Sequence, residues 1–249
     1  MIKKTKNLIN GIHAVSSFLE KYPQNIIQMI CIEDSKNIRL NNLLAAALEL
    51  DIPIIKTNKH DLSKMAPGIS HQGILCEILF PTPNDVNHFF RKKKYDHKSI
   101  VLILDSITDP RNLGACLRSA SAFNVDAVIL NKDNSAPINQ HVFKTSVGAL
   151  LNLDIYYAVN LTRTIEQLKD YGYWIIGLDG DINNDSIFNE KFLSKTCLTL
   201  GSEAKGIRPL IKKNCDKLLN IPINKNTESL NISVATGIAL YELNRQFLS

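Results

Sequence analysis

The order of apolar and polar residues predicts an α/β protein built on a parallel sheet and preceded by a smaller α/β unit. Three observations carry that expectation. Short apolar runs alternate with segments of helical period along most of the 249 residues. One of those runs, Ile100 to Leu104, is continuously apolar, as a strand covered on both faces requires. Residues 81–98 break the alternation with Pro81, Pro83, Asn84 and the basic run Arg91-Lys92-Lys93-Lys94, so they read as a linker between residues 1–80 and residues 99–249.

In the front unit the sequence predicts a helix from about Gly11 to Tyr22, a strand from Ile26 to Ile32 and an amphipathic helix from Ile38 to Leu50. A short strand from Pro53 to Lys56 and a closing strand from Gly73 to Leu79 complete it. Behind the linker, Ile100 to Leu104 is followed by a helix over Leu113 to Phe123. Ala127 to Leu130, Leu153 to Tyr157 and Tyr173 to Leu178 read as further strands, with a helix near Leu161 to Tyr171. Cys197 to Leu200 and Leu218 to Ile223 are two more strands, and a helix from about Ile232 to Phe247 follows them. Ligands in such sheets bind beyond the carboxyl ends of the strands.

Composition narrows the function classes. With 45% hydrophobic residues and a net charge of only +5, the chain is not a disordered one. No apolar run reaches the ~18–20 residues of a membrane helix, and the charged start has no apolar stretch behind it, so a cytoplasmic protein without membrane contact is expected. The five cysteines include no C-x-x-C pair and the six histidines show no metal-ligand spacing, so buried thiols and no metal are expected. Residues 1–98 carry 14 Lys and Arg against 9 Asp and Glu, whereas residues 99–249 carry 15 against 15. The excess positive charge in front suits a polyanion, and a solvated linker would show it equally.

Three loops after predicted strands combine turn-formers with reactive side chains. The first runs from Asp105 through Asn112 and Gly114 to Arg118, the second is Gly201-Ser202-Glu203-Ala204-Lys205-Gly206, and the third leads through Ser229-Leu230-Asn231 to Ser233. No G-x-G-x-x-G follows the first strand of this region and no P-loop occurs, and Gly177 and Gly180 read as a turn. Asn112 fits either a cap of the helix from Leu113 or a site residue. Arg118 fits either a surface charge or, near the positive end of a helix and beside the bare Gly114, an anion-binding group.

Taken together, Asn112-x-Gly114-x-x-x-Arg118, Gly201-x-Glu203-x-x-Gly206 and Ser229-Leu230-Asn231-x-Ser233 resemble, in order and spacing, the three motifs of the SpoU/TrmH family. The resemblance covers residues 99–249 and extends more loosely to Gly11-Ile12-His13-Ala14-Val15 and His71-Gln72-Gly73, which resemble the small substrate-binding domain of the branch acting on guanosine in 23S ribosomal RNA. It implies a SPOUT-type fold with a deep trefoil knot, an RNA-binding front domain and a homodimer formed through the catalytic domains. It also implies S-adenosylmethionine as cofactor and transfer of its methyl group to a ribose 2′-hydroxyl of 23S ribosomal RNA. Gly201, Ile221 and Leu230 match the family's cofactor-contacting positions, and Asn112, Arg118, Glu203, Ser229 and Asn231 match its active-site positions. The small residues Ser233, Ala235, Thr236, Gly237 and Ala239 in the last helix suit a helix packed closely against it, from a second chain or from the same one.

Methyl transfer needs the sugar oxygen aligned behind the methyl group and an outlet for its proton. With that chemistry implied, Arg118 is expected to hold the target phosphate and to stabilise the developing alkoxide, since an arginine of pKa ~12.5–13.8 is a poor base. Glu203 is expected to orient Arg118 or Asn112, and Ser229 and Asn231 to offer hydrogen bonds, with simple helix capping compatible with both. The rivals are the same reaction on transfer RNA, a non-catalytic RNA-binding or ribosome-assembly factor, and a small-molecule α/β enzyme.

Overall fold

The computed structural model describes residues 4–68, 70–92, 98–146, 149–181, 183–203, 205–224 and 226–248. They form two compact units, 1–82 and 83–249.

The first unit runs β1 (Lys4–Asn10), α1 (Ile12–Lys21), β2 (Ile26–Ile32), α2 (Ile38–Glu49), β3 (Ile54–Thr57), α3 (Lys59–Met65) and β4 (Ile74–Pro81). Its sheet has the order β1-β4-β2-β3, with β4 antiparallel to both neighbours and β2 parallel to β3. α1 buries Val15, Phe18 and Leu19, and α2 buries Leu40, Leu43 and Ala47, each a single helical stripe. Asn37 caps α2 by accepting the N–H of Arg39 at 3.0 Å. β1 and α3 were not expected. β1 is polar except for Leu8 and Ile9 near its end, where Ile9 is buried opposite Cys76. α3 buries one apolar residue, Leu62, and depends on the Asn58 cap, whose side chain accepts the N–H of Asp61 at 2.9 Å.

The second unit runs β5 (Asn84–Asp85), α4 (Asn87–Arg91), β6 (Ser99–Asp105), α5 (Pro110–Ala122), β7 (Ala127–Asn131), α6 (Gln140–Ser146), β8 (Ile155–Ala158), α7 (Leu161–Asp170), β9 (Trp174–Leu178), β10 (Asp185–Ser186), β11 (Lys195–Gly201), α8 (Pro209–Asn214), β12 (Lys217–Asn220) and α9 (Ile232–Leu248). Its eight strands are all parallel, in the order β10-β12-β9-β11-β6-β7-β8-β5. β6 is buried along its whole length, as its unbroken apolar run requires. One core cluster joins β6, β7, β8, β9 and β11 to α4, α7 and α8 through Phe89, Val101, Ile129, Tyr156, Ile165, Ile175 and Ile211. α5 packs against α9, where the Cys116 thiol lies 3.3 Å from the Thr236 hydroxyl in the interior.

Two expectations need correction here. Residues 81–98 are not simply a linker, because β5 pairs with β8 and α4 sends Phe89 into the second core. The turn-forming prolines hid two short elements whose apolar content is concentrated in Val86, Phe89 and Phe90. Of the basic run, Lys92 is tied to Asp154 at 2.6 Å and lies over the Tyr156 ring, so it is not a free cation; Lys93 and Lys94 lie outside the described residues. Second, the strand expected from Leu218 to Ile223 ends at Asn220, because Pro222 has no N–H to give a ladder. Among the described residues no helix is long and apolar enough to cross a membrane.

Candidate active site

Three loops leave the carboxyl ends of β6, β11 and β12. β6 and β11 are neighbours, with Asp105 opposite Gly201 in the ladder. After β6 the chain continues to β7 on one side, while β11 has β9 on its other side. The two strand ends therefore mark the point where the strand order switches, the place at which open parallel sheets take ligands.

The first loop enters α5 through Asp109, which accepts the N–H of Arg111 at 2.8 Å, and through Pro110 in the first helical position. The helix begins three residues before Leu113, and this changes three readings. Asn112 is not the cap; it lies in the first turn. Arg118 lies in the third turn and is exposed, so it does not sit at the positive end of the helix and the dipole gives no reason for an anion there. Gly114 does not open the surface beside Arg118, because α6 fills the space. A Cβ at 114 would lie 2.6 Å from Thr145 Cβ and 2.9 Å from the Val142 carbonyl oxygen.

The second loop folds back on itself. The Gly206 N–H donates to the Ser202 carbonyl at 2.7 Å, with Gly206 at φ 62°. A Cβ on Gly201 would fall 2.0 Å from the Gly206 carbonyl carbon, so only glycine fits at the strand end. The turn presents Glu203.

The third loop enters α9 through Asn231, whose Oδ1 accepts the N–H of Ser233 at 2.9 Å and the Ser233 hydroxyl at 2.6 Å. The Asn231 Nδ2 donates to Asn112 Oδ1 at 3.1 Å and to Glu203 Oε1. Asn112 Nδ2 donates to the same Glu203 oxygen at 3.0 Å, and the Ile232 N–H reaches it at 3.3 Å. One carboxylate oxygen thus gathers one residue from each of two other loops and the first amide of α9, where the helix dipole favours a negative charge. Asn231 caps a helix and joins the network at once.

Asn112, Glu203 and Asn231 are therefore brought together. Arg118 and Ser229 are exposed and stand outside their hydrogen bonds, so the partner of Glu203 is Asn112, with Asn231 added, and not Arg118. Gly201, Ile221 and Leu230 are half-buried at the end of β11, just past β12 and just before α9. Beside them Leu178 is half-buried at the end of β9, and Gly180 has nothing within 4 Å of where a Cβ would point. Apolar groups, backbone and open space of this kind suit an uncharged adenosine.

Sequence reasoning missed one feature of the site. Asp105, the last residue of β6, is fully buried and takes the Arg208 Nε at 2.8 Å and one terminal guanidinium nitrogen at 2.8 Å. An acidic residue ending a continuous apolar run was the available signal. The thiols are inert by contrast: Cys31, Cys76, Cys116 and Cys197 are buried, and burial pushes Cys116 up to about 11 and Cys76 up to about 12. Among the described residues no three His, Cys, Asp or Glu side chains gather as metal ligands would.

Comparison with known proteins agrees with this geometry. Residues 99–241 match the SpoU rRNA Methylase family, and residues 8–83 match the RNA 2′-O ribose methyltransferase substrate binding family. The 23S rRNA (guanosine-2′-O-)-methyltransferase RlmB of Haemophilus ducreyi is 39% identical over 244 residues, which cover 97% of this chain and 98% of that one. Its namesake from Blochmanniella floridana is 38% identical, over 96% of this chain and 94% of the other. Among solved structures, the SpoU methyltransferase AviRb of Streptomyces viridochromogenes in complex with AdoMet aligns with a TM-score of 0.74 at 21% identity, over 98% of this chain and 91% of that one. The A. aeolicus TrmH/SpoU tRNA modifying enzyme aligns over 60% of this chain and 75% of its own, with a TM-score of 0.55 and 27% identity. With most of its second unit matched to the family and close relatives along nearly its whole length, the chain belongs to the SpoU rRNA methylase family.

Proposed function

We propose that this protein transfers the methyl group of S-adenosylmethionine to the ribose 2′-hydroxyl of a guanosine in 23S ribosomal RNA. The observation that carries the reading is the meeting of Asn112, Glu203 and Asn231, each from a different strand-end loop, at the carboxyl ends of β6 and β11. The full-length relatives, named for that reaction, supply the substrate, and the matched front unit supplies a place for RNA. The transfer RNA reading has less support, because the alignment with the A. aeolicus enzyme covers only 60% of this chain.

The cofactor, held against Gly201, Ile221 and Leu230, supplies an activated methyl group. Glu203 Oε1 accepts from Asn112 Nδ2, Asn231 Nδ2 and the Ile232 N–H, so the carboxylate acts as a holder of Asn112 and Asn231. Arg118, exposed and without a carboxylate partner among the described residues, is placed to take an RNA phosphate and to stabilise charge developing on the sugar oxygen.

A homodimer belongs to the same proposal. Thr236 and Gly237 in α9 face α5 of the same chain, at Cys116 and Ser119, so part of the small-residue stripe is used internally. Val234 and Tyr241 remain exposed, at 49% and 58%, and offer the apolar surface for a second copy. The strand order supports the trefoil path: β11 lies between β9 and β6, β12 lies beyond β9, and α9 then returns to α5. The cytoplasm, where ribosomal RNA is made and modified, is the proposed location.

Mapping ribose methylation in cells lacking the protein tests the function. Loss of one 2′-O-methylguanosine from 23S ribosomal RNA, restored by the wild-type protein, is expected. Intact ribosomal RNA with a mark lost from transfer RNA would move the substrate, and no lost mark would favour a non-catalytic factor.

A further inference from the structure

We propose that the ion pair between the buried Asp105 and the half-exposed Arg208 is the positioning device of this site, fixing the turn that carries Glu203 within reach of Asn112 and Asn231. This deepens the methyl-transfer reading and rests on it for its kinetic consequences.

Asp105 has no exposed surface, and its carboxylate is filled from four directions. Arg208 Nε lies 2.8 Å from Oδ1 and 3.1 Å from Oδ2, a terminal nitrogen of the same guanidinium lies 2.8 Å from Oδ1, the Arg208 N–H donates to Oδ2 at 3.1 Å, and the Ser106 hydroxyl donates to Oδ1 at 3.0 Å. A two-pronged guanidinium with a backbone amide fixes direction as well as distance. The pair spans the two loops that meet at the site. Asp105 ends β6 and opens the loop to Asn112; Ser106 after it holds φ 60°, a conformation uncommon for serine. Arg208 lies two residues past the closed turn from Gly201 to Gly206.

The ladder makes the grip tight. Asp105 is the register partner of Gly201, so the turn leaves β11 beside Asp105 and is caught by the same residue when it comes back. Glu203 sits at the outer end of this loop, exposed, with residue 204 outside the described set. Within the turn the Gly206 N–H donates to the Ser202 carbonyl, and the two residues form an isolated antiparallel bridge. Its base is set by Asp105 and its tip meets Asn112 and Asn231.

Steady-state kinetics and hydrogen exchange test the idea together. Arg208→Ala should lower kcat by about 10- to 100-fold, the scale of a roughly 1 Å misplacement, while KM for RNA and cofactor stays within about 3-fold. Arg208→Lys should recover part of the loss. In a Glu203→Gln background Arg208→Ala should add less than about 3-fold, because both changes act through one contact. A raised KM for RNA with unchanged kcat and a salt slope lower by about one would show a phosphate contact and overturn the proposal. Exchange reads the same point without activity: the Gly206 and Ile232 amides should exchange about 10-fold faster in Arg208→Ala, and unchanged rates would refute the positioning role. If the wild type transferred no methyl group yet these amides responded, the clasp would stand and the methyl-transfer reading would fall. Should Arg208→Ala fail to fold with a stranded carboxylate, Asp105→Asn combined with Arg208→Ala removes that charge and is expected to show the same kcat loss and the same exchange.

Discussion

The first and third turns of α5 use one helix in opposite ways. In the first turn Asn112 is held by Glu203 and Asn231, its two side-chain atoms both engaged. In the third turn Arg118 stands exposed, outside any such network. At 100° and 1.5 Å per residue, six residues place the two side chains about 120° apart and about 9 Å along the axis. The difference teaches that the three motifs are not a single cluster of contacts. The amides and the carboxylate form a preassembled frame, and the guanidinium is left for something that arrives.

The sharpest way to break this contrast is to remove each side in turn. Arg118→Ala should reduce methyl transfer by at least about 100-fold, as loss of an electrostatic stabiliser does. Its unfolding free energy should stay within about 0.5 kcal/mol of wild type, because an exposed side chain without an ion-pair partner among the described residues is removed. Asn231→Ala should lower activity too, but also cost about 1 kcal/mol of stability through the lost α9 cap, read by urea unfolding. Equal stability losses in the two variants would erase the distinction. Gly114→Ala sharpens it from within the helix, since the added methyl group meets α6 at 2.6 Å and should cost about 1–3 kcal/mol by overpacking. A neutral result there would show that α6 yields without cost.

The smallest effect lies at the far end of α9. Glu242 is nearly buried and accepts from the Arg245 Nε at 3.0 Å, from another Arg245 nitrogen at 2.7 Å and from Gln246 at 2.9 Å. Those hydrogen bonds, Arg245 foremost, hold its carboxyl below the usual carboxylate range. A carboxyl depressed on folding adds stability above its unfolded pKa of about 4.3 and loses it as pH falls through the folded value. Glu242→Gln should therefore flatten the acid limb of the stability profile below about pH 4, and an unaltered limb would show that the pair adds nothing.

Strands and long helices were legible because pattern and burial coincide in them: β6, β7 and β11 are buried along nearly their whole length around apolar centres, and α7 buries one clear stripe. Elements supported by tertiary partners were not legible. β5 is two residues long and exists through β8, while α6 lies on α5 where Gly114 allows it. In the site, loop order and residue type pointed to Asn112, Glu203 and Asn231 without showing who would bond to whom. The start of α5 was misplaced because Asp109 and Pro110, a cap and a first-turn residue, were read as loop. Asp105 was passed over because its partner lies 103 residues away, a pairing that no local pattern announces.

The placement of β11 between β6 and β9 has a consequence for biosynthesis. Its register ties Lys195 to Ser99, so the central slot of the sheet stays vacant until most of the chain has left the ribosome. Contacts of such sequence separation form slowly. Glu203 and Asn231 both lie in or after that late segment, so the network that joins them to Asn112 assembles only after β11 has entered between β6 and β9.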